Sequence, residues 1–377
     1  MDPMLALVER AAAAVGLSDP NPRVACRLQT VDGQVFEGHT QAAGGPHAEV
    51  VALRAAQAAG ADLRGASAWV TLEPCSHHGR TPPCCDALVQ AGIGRVVVAL
   101  QDPNPQVAGQ GLARLAAAGI AVTLLPPDDA AAVAARELNI GFFSRMVRGR
   151  PWVRLKVAAS LDGTTALANG ASQWITSPEA RADGHAWRRR AGALLTGIGT
   201  VQEDDPRLDV RLVPTACQPL RVVVDAALQL SPAARIVAPP GQVLVYTAAD
   251  PAASSAARAA LAAAGACVVD CAPSVAAQTQ GRLKIDLDAL LLDLGRREVN
   301  ELHVEAGHKL NGSFLREGLV DELLLYLAPK LLGPGAGLAH LGPLESLAQA
   351  LPFEFTEVTL VGPDLRLRAR PPGRAAF

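Results

Sequence analysis

The chain has 377 residues, half of them hydrophobic, and this length predicts about two domains with buried cores. A formal net charge of −2 and an aromatic content of 3% provide neither a basic field nor stacking side chains, so we expect no nucleic-acid or membrane partner. Seven cysteines without a secretory signal favour a cytoplasmic protein with reduced thiols or metal ligands over a disulfide framework.

The first part of the chain alternates short strands with Ala-rich helices. Strands are predicted near "VACRLQT", "QVFEGHT", "AWVTLE", "RVVVAL" and "AVTLL", and helices near 3–15, 47–59, 84–91, 109–118 and 128–146. This alternation is typical of a parallel or mixed sheet covered by helices. The segment "RMVRGRP" then breaks the pattern with charge, Gly and Pro, which predicts a boundary between domains 1–147 and 151–372.

A second alternation follows the boundary. It runs through "WVRLKVAAS", "RVVVDA", "QVLVYT", "ACVVD", "ELHVEAG", "DELLLYLAP" and "LRLRAR". The predicted fold class is therefore α/β, with two domains in series. An Ala- and Pro-rich tract over 231–280 weakens the second pattern and predicts exposed helices or loops there.

Four residues of the first domain have the types and spacing of a catalytic zinc site. The helix that begins after "GGP" carries His47 and Glu49 in its first turn, where both side chains can reach over its open end. Cys75 follows a strand ended by a proline, and Cys84 begins another helix, whose N-terminus favours a thiolate. One His and two Cys leave the fourth tetrahedral position to water. We therefore predict that Glu49 transfers protons to and from that water.

These residues form the His-x-Glu, Pro-Cys and Cys signature of the zinc nucleobase deaminases. An eight-residue loop, "SHHGRTPP", separates the two cysteines, where many deaminases have two residues. With "SDPNPRVACR", "PHAEVVAL" and "VALQDPNPQVAGQGLARLAAAGI", this loop closely resembles the bifunctional pyrimidine deaminase/reductase family of riboflavin biosynthesis, from about residue 4 to 147. The resemblance implies a cytidine deaminase-like α/β/α domain.

Other cysteines and histidines nearby have less specific interpretations. Cys85, adjacent to Cys84, is expected to face elsewhere as a packed thiol, and Cys26 to lie in the core. His77 and His78 are equally compatible with substrate contacts and with simple exposure to solvent. If either were a fourth zinc ligand, the site would be structural and closed, which is an alternative to the catalytic hypothesis.

The second domain contains two Gly-rich connections. "LLTGIGTVQEDDPRL" is a weak phosphate-loop signal, but "ELHVEAGHKLNGSFL" places a second connection before a helix whose free amides can bind phosphate. Two anion sites favour a phosphorylated cofactor and a phosphorylated substrate. These segments, with "RLKVAASLDGTTALANGASQWITSPEAR", resemble the reductase half of the same family, which implies a dihydrofolate reductase-like fold that uses NADPH.

The resemblance also assigns residues in this domain and one in the first. It implies cofactor contacts by Ala158, Trp174, Thr200, Asp204, Gly307, His308, Lys309, Leu310, Asn311, Gly312 and Ser313. It implies substrate contacts by Asn21, Lys156, Ser172, Arg188, Leu208, Arg211 and Glu305. Arg188 and Arg211 are suited to a ribose phosphate because guanidinium groups bind phosphate through two hydrogen bonds. Alternatively, Arg188 lies on a solvated helix face and Lys156 forms a salt bridge at a strand edge.

The resemblance therefore implies a two-step enzyme. One Zn²⁺ per chain supports deamination of 2,5-diamino-6-(5-phosphoribosylamino)pyrimidin-4-one, and NADPH then reduces the ribosyl group to ribityl. We also expect a homo-oligomer. The alternatives are a zinc deaminase of another nucleobase or of transfer RNA, joined to a non-catalytic or decayed second domain.

Overall fold

The computed structural model describes residues 2–76, 82–105, 107–238, 240–275 and 283–377. The chain divides into two compact units, residues 1–149 and 150–376. Both units are α/β, which confirms the predicted fold class. Within the described ranges, no helix is long and apolar enough to cross a membrane.

The first unit contains a five-stranded sheet and six α-helices in its described residues. The strands are β1 (Ala25–Gln29), β2 (Val35–His39), β3 (Ser67–Val70), β4 (Arg95–Val98) and β5 (Ala121–Leu124). The helices are α1 (Pro3–Ala11), α2 (Ala48–Ala58), α3 (Cys84–Gln90), α4 (Gln110–Ala117), α5 (Ala130–Leu138) and α6 (Ile140–Arg148).

The order of strands in this sheet is β2-β1-β3-β4-β5. Strands β3, β4 and β5 are parallel, whereas β1 is antiparallel to both of its neighbours. Apolar side chains of α1, α2, α3 and α5 pack with those of the strands in one core. Because β3 and β4 are parallel, the segments that follow them lie at the same edge of the sheet, where open α/β sheets form their sites.

The predicted helix over 128–146 is wrong in one respect, because two helices, α5 and α6, occupy this region. They are separated at Asn139, whose side chain is buried. The Asn139 amide accepts a hydrogen bond from the backbone N of Arg23 at 2.7 Å and donates one to the Arg23 carbonyl at 2.9 Å. This tertiary pairing fixes a non-helical residue within a sequence whose local pattern favours one continuous helix.

The second unit contains a nine-stranded sheet, a two-stranded sheet and five α-helices among its described residues. The strands are β6 (Trp152–Ser160), β7 (Ala166–Leu167), β8 (Ala193–Gly197), β9 (Leu220–Val224), β10 (Val243–Thr247), β11 (Ala266–Asp270), β12 (Glu301–Val304), β13 (Glu322–Ala328), β14 (Gly335–Ala336), β15 (Glu354–Val361) and β16 (Asp364–Arg370). The helices are α7 (Pro178–Arg190), α8 (Ile198–Asp204), α9 (Ser255–Ala263), α10 (Leu287–Arg296) and α11 (His308–Arg316).

The order of strands in the large sheet is β11-β10-β9-β8-β12-β6-β13-β16-β15, and β7 pairs separately with β14. Neighbouring strands in the part of this order that runs β11-β10-β9-β8-β12-β6-β13 are parallel. Strand β16 is antiparallel to both of its neighbours, β13 and β15. The carboxyl ends of the adjacent strands β8, β12 and β6 therefore meet at one edge of the sheet. The loops that begin there can form a shared ligand site.

A buried ion-pair network connects four strands of this sheet. Arg154 on β6 donates to Glu301 on β12 and to Glu322 on β13, at 2.8 Å in both cases. Arg368 and Arg370 on β16 also donate to Glu322. Burial alone would raise the pKa of Glu322, but the surrounding arginines hold it well below its usual range. The carboxylate is therefore charged and fully paired at neutral pH.

Candidate active sites

His47, Cys75 and Cys84 come together in the first unit. His47 is the N-cap residue of α2, Cys75 follows β3, and Cys84 is the first residue of α3. The Nδ1 atom of His47 lies 3.6 Å from the Sγ atom of Cys75 and 3.4 Å from that of Cys84. All three ligand atoms lie within 4.8 Å of one another. Two helix starts and a strand end thus converge on one point, as the sequence predicts.

The donor set fits a zinc ion. One imidazole nitrogen and two thiol sulfurs are ligands that zinc prefers, and both cysteines are free of disulfides. The thiol hydrogen bond from Cys84, aided by His47, lowers the pKa of Cys75, so the group readily supplies a thiolate. Among the described residues the group contains three ligands. That number is typical of catalytic zinc sites, which keep one position for water.

Glu49 is buried beside these ligands. Burial, and after it the negative charge of the Cys75 thiolate, raises its pKa to about 7, against the opposing effect of His47 and of a hydrogen bond with Cys84. A carboxyl group with a pKa near neutrality can both accept and return a proton. The position of Glu49 therefore suits the predicted acid/base role.

The neighbouring thiol Cys85 has different surroundings. Its Sγ atom lies 3.1 Å from the carbonyl oxygen of Pro74 and 3.6 Å from that of Gly111. Burial raises its pKa to about 12, so the thiol stays protonated. Cys26 is also buried, in the core of the unit, as expected.

For three other residues named from the sequence, the structure does not test the expected role. Asn21 is half-buried in the loop between α1 and β1, so its contact with substrate stays a prediction. His77 and His78 lie outside the described residues, and their role stays open.

Sequence reasoning missed Glu73, two residues before Cys75. This buried carboxylate accepts backbone hydrogen bonds from Asp102, Gly109, Gly111 and Leu112 at distances between 2.8 and 3.2 Å. It thereby caps the N-terminus of α4 and fixes the loop that follows β4. A glutamate directly before the Pro-Cys pair was the available signal, but its partners are more than 25 residues away in sequence.

The second unit has a cleft with a volume of about 490 Å³ at the carboxyl ends of β6, β8 and β12. Ten of the residues that the sequence singles out line it. They are Lys156, Ala158, Ser172, Trp174, Thr200, Asp204, Glu305, Gly307, His308 and Asn311. Expected cofactor residues and expected substrate residues thus share one cleft.

The N-terminus of α11 forms one wall of this cleft. The Gly307 backbone N donates to the Thr200 hydroxyl at 3.1 Å, which joins the two Gly-rich connections. Farther along α11, Leu310 packs near Gly197, and a Cβ at Gly312 would lie 2.1 Å from the His340 carbonyl oxygen. Leu310 and Gly312 therefore determine how α11 packs, whereas Gly307 and His308 at its start line the cleft.

Two other residues of the expected cofactor run, Lys309 and Ser313, lie on the same helix. Lys309 is exposed, and Ser313 is buried with its hydroxyl 3.4 Å from the Lys309 carbonyl oxygen. Neither residue lines the cleft, so their contacts with a cofactor stay a prediction.

Glu305 organises the positive side chains expected to bind substrate. Arg188 donates to both of its oxygens, at 2.5 and 2.9 Å, and the Lys156 Nζ atom lies 3.6 Å from one of them. Burial alone would raise the pKa of Glu305, but Arg188 and Lys156 hold it well below its usual range. Arg188 is therefore an inward-facing ion-pair partner, which excludes a solvated helix face. Lys156 does form the alternative salt bridge, but within the cleft.

The loop after α8 carries the remaining expected substrate residues. Arg211 is held by the buried Asp209 carboxylate at 2.6 Å, and its backbone N donates to His185 at 3.1 Å. Burial, together with Arg188 and Arg211, lowers the pKa of His185 to about 4, so this imidazole is neutral near pH 7. The Leu208 side chain lies in the core, so any contact with substrate would involve its backbone. Sequence reasoning missed Asp209 and His185, which position Arg211.

Comparisons with known proteins find a matching family for each of the two units. Residues 2–100 match the family described as "Cytidine and deoxycytidylate deaminase zinc-binding region", and residues 151–367 match "RibD C-terminal domain". The chain is 46% identical over 364 residues to "Riboflavin biosynthesis protein RibD" of Escherichia coli, covering 92% of this chain and 93% of that protein. It is 36% identical over 366 residues to the protein of the same name from Mycobacterium tuberculosis, covering 96% and 94%.

Solved structures show the same likeness over nearly the whole length. Acinetobacter baumannii RibD aligns with a TM-score of 0.85 at 40% identity, covering 98% of this chain and 97% of that one. A diaminohydroxyphosphoribosylaminopyrimidine deaminase/5-amino-6-(5-phosphoribosylamino)uracil reductase from Thermotoga maritima aligns with a TM-score of 0.82 at 30% identity, covering 98% of each chain. The likeness therefore covers the residues of both units.

Proposed function

The chain belongs to the RibD family of riboflavin biosynthesis proteins, and on this premise we propose that it catalyses two successive reactions on a phosphorylated pyrimidine. The first unit hydrolytically removes the 2-amino group of 2,5-diamino-6-(5-phosphoribosylamino)pyrimidin-4-one. The second unit reduces the ribosyl group of the product, 5-amino-6-(5-phosphoribosylamino)uracil, to ribityl with NADPH. The convergence of His47, Cys75 and Cys84 beside the buried Glu49 is the observation that carries this proposal.

In the first unit, His47, Cys75 and Cys84 would hold the zinc. A zinc ion bound there supplies a Lewis acid that activates water at neutral pH. Glu49 accepts a proton from the attacking water and returns it to the departing amine. A carbon–oxygen bond forms, the carbon–nitrogen bond breaks, and ammonia leaves. The pKa of Glu49, raised by burial, suits both transfers.

NADPH bound in the second unit would supply a hydride to the sugar carbon that is reduced, and a proton from water would complete the reduction. The free amides at the start of α11 and the Thr200 hydroxyl are placed to bind the cofactor. Arg188 and Arg211 are guanidinium groups suited to the ribose phosphate, and Lys156 lies in the cleft beside Glu305. Gly307, Thr200 and Lys156 line one cleft, and Arg188 is paired with Glu305 of its lining, so these residues would orient both ligands, which is the main contribution of a protein to cofactor chemistry.

The experiment that tests the deaminase assignment uses Glu49→Gln. This change keeps the size of the side chain and removes its ability to accept a proton. We expect bound zinc to stay near the wild-type amount, ammonia release to fall by at least about a hundredfold, and NADPH oxidation with supplied deaminated substrate to be unchanged. Unchanged ammonia release would contradict the proposal and favour a structural zinc site.

We also propose a cytoplasmic location and a homo-oligomer. The location is supported by the thiol ligands Cys75 and Cys84, which a reducing compartment keeps available for metal. The homo-oligomer is supported by β15, an edge strand with Phe355, Val358 and Leu360 at least 61% exposed. Sedimentation analysis should show a mass above the 39.0 kDa of one chain. A single 39.0 kDa species at micromolar concentration would contradict it.

A further inference from the structure

Arg181 lines the reductase cleft and is held in one orientation by two contacts. It lies near the start of α7, after the N-cap residue Ser177. Its guanidinium carbon lies 4.6 Å from the centre of the Trp174 indole ring, and its Nη1 atom donates to the Thr176 carbonyl oxygen at 2.7 Å. The side chain therefore stacks on an aromatic ring while several of its N–H groups stay available.

The charge of Arg181 has no carboxylate partner in the described part of the chain. The carbonyl of Thr176 and the ring of Trp174 stabilise the cation but do not neutralise it. The other cation lining the cleft, Lys156, lies 3.6 Å from Glu305. Arg181 is thus the cleft cation that an incoming anion can engage without breaking an ion pair.

We propose that Arg181 is a phosphate-binding residue of this cleft. The inference rests on the proposed reductase function, because NADPH and the phosphoribosyl substrate both carry phosphate groups. The cleft is lined by three carboxylates, Glu203, Asp204 and Glu305, so a phosphorylated ligand needs a compensating cation there. A stacked guanidinium group presents its N–H groups in a planar fork that matches phosphate oxygens.

Both ligands are sources of such a phosphate. Arg181 stacks on Trp174, an expected cofactor residue, and Ser172, an expected substrate residue, lines the same cleft. The phosphate can therefore belong to the dinucleotide or to the ribose of the substrate. Separate saturation curves for the two ligands distinguish these sources.

The test compares Arg181→Met and Arg181→Gln with the wild-type chain. Met keeps the length that covers the indole ring, and Gln keeps a polar group, but both remove the charge. We expect the KM for one of the two ligands to rise by about tenfold or more, with kcat little changed. The reason is that the variants cannot form the charged hydrogen bonds to phosphate that Arg181 forms when the ligand binds. If the dinucleotide is the source, titration with NADP⁺ should show a matching loss of affinity.

A matched control is Arg296→Met, which removes one positive charge from the exposed end of α10 and lies outside the cleft lining. It should leave both KM values unchanged. Ammonia release and melting temperature should stay at wild-type values in all three variants, which shows that the chain is folded.

Two outcomes would overturn the inference. One is that both KM values are unchanged in the Arg181 variants, and the other is that kcat alone falls, which would make Arg181 a support for Trp174. Failure of the proposed function is a separate result, in which the wild-type chain itself neither binds NADP⁺ nor oxidises NADPH with the deaminated substrate.

Discussion

Two adjacent cysteines, Cys84 and Cys85, have different chemical environments. Cys84 points to His47 and Cys75, and its thiol is hydrogen-bonded to Cys75. Cys85 points to the carbonyl oxygens of Pro74 and Gly111 and stays protonated. Consecutive residues at the start of a helix face directions about 100° apart, which separates the proposed ligand Cys84 from the packed thiol Cys85.

This difference gives a matched pair of variants. Cys84→Ser replaces the proposed thiolate ligand with a hydroxyl, which binds zinc weakly, so the purified variant should contain well under half of the wild-type zinc. Cys85→Ser should keep its zinc and lose only about 1 kcal/mol of stability, because a hydroxyl can bond to the same carbonyl oxygens. Metal analysis of both purified variants measures their zinc content. Equal zinc in the two variants would show that Cys84 is not a ligand.

At the scale of single residues, the sequence predicted those site residues whose signal is local. His47, Glu49, Cys75 and Cys84 stand at helix starts and a strand end, and the structure brings them together. Glu73 and Asp209 could not be recognised, because their partners are defined by tertiary contacts with loops and not by a repeating pattern. The same reason explains Asn139, whose pairing with Arg23 divides a helix that local propensity favours.

At the scale of elements, close packing between α4 and the segment before Cys75 positions this proposed metal ligand. Gly111, in the first turn of α4, donates to the Glu73 carboxylate at 2.8 Å. A Cβ at this glycine would lie 2.2 Å from the carbonyl oxygen of Pro74, so no larger residue fits without moving the chain next to Cys75. The absence of a side chain at Gly111 is thus a requirement of the site.

Gly111→Ala should therefore destabilise the first unit by about 2 kcal/mol or more, because a backbone atom has to move. It should also lower ammonia release, since Cys75 follows Pro74. Gly184→Ala in α7 is the control, because its Cβ would meet nothing within 4 Å. That change should stabilise its helix by up to about 1 kcal/mol. Thermal unfolding of the two variants measures the contrast, and similar melting temperatures would contradict it.

The buried ion-pair network around Glu322 predicts that the stability of the second unit depends on pH. Its pKa in the folded chain lies well below the unfolded value of about 4.3, so its stabilising effect is fully present above that pH and is lost as the pH falls. Glu322→Gln leaves buried arginines without their carboxylate and should cost about 3 kcal/mol at pH 7. The difference in melting temperature from the wild type should shrink below about pH 4. A difference independent of pH would show that the network is not electrostatic.

At the scale of the whole molecule, one chain combines two units that each bear a distinct candidate site. The alternation of strands and helices predicted two α/β domains because periodic patterns report on secondary structure. The order β11-β10-β9-β8-β12-β6-β13-β16-β15 could not be obtained in this way, since strand neighbours depend on contacts distant in sequence. Substrate and pathway follow from the family, whereas the residues indicate a zinc hydrolase joined to an anion-binding domain.

The central claim is that this single chain deaminates and then reduces the same molecule. The most direct test incubates the purified chain with the diaminopyrimidine ribosyl phosphate, with and without NADPH, and follows ammonia and the absorbance of NADPH. We predict ammonia in both reactions, and NADPH oxidation only after deaminated product has formed. Full ammonia release by zinc-free protein, or NADPH oxidation without deamination, would contradict the account.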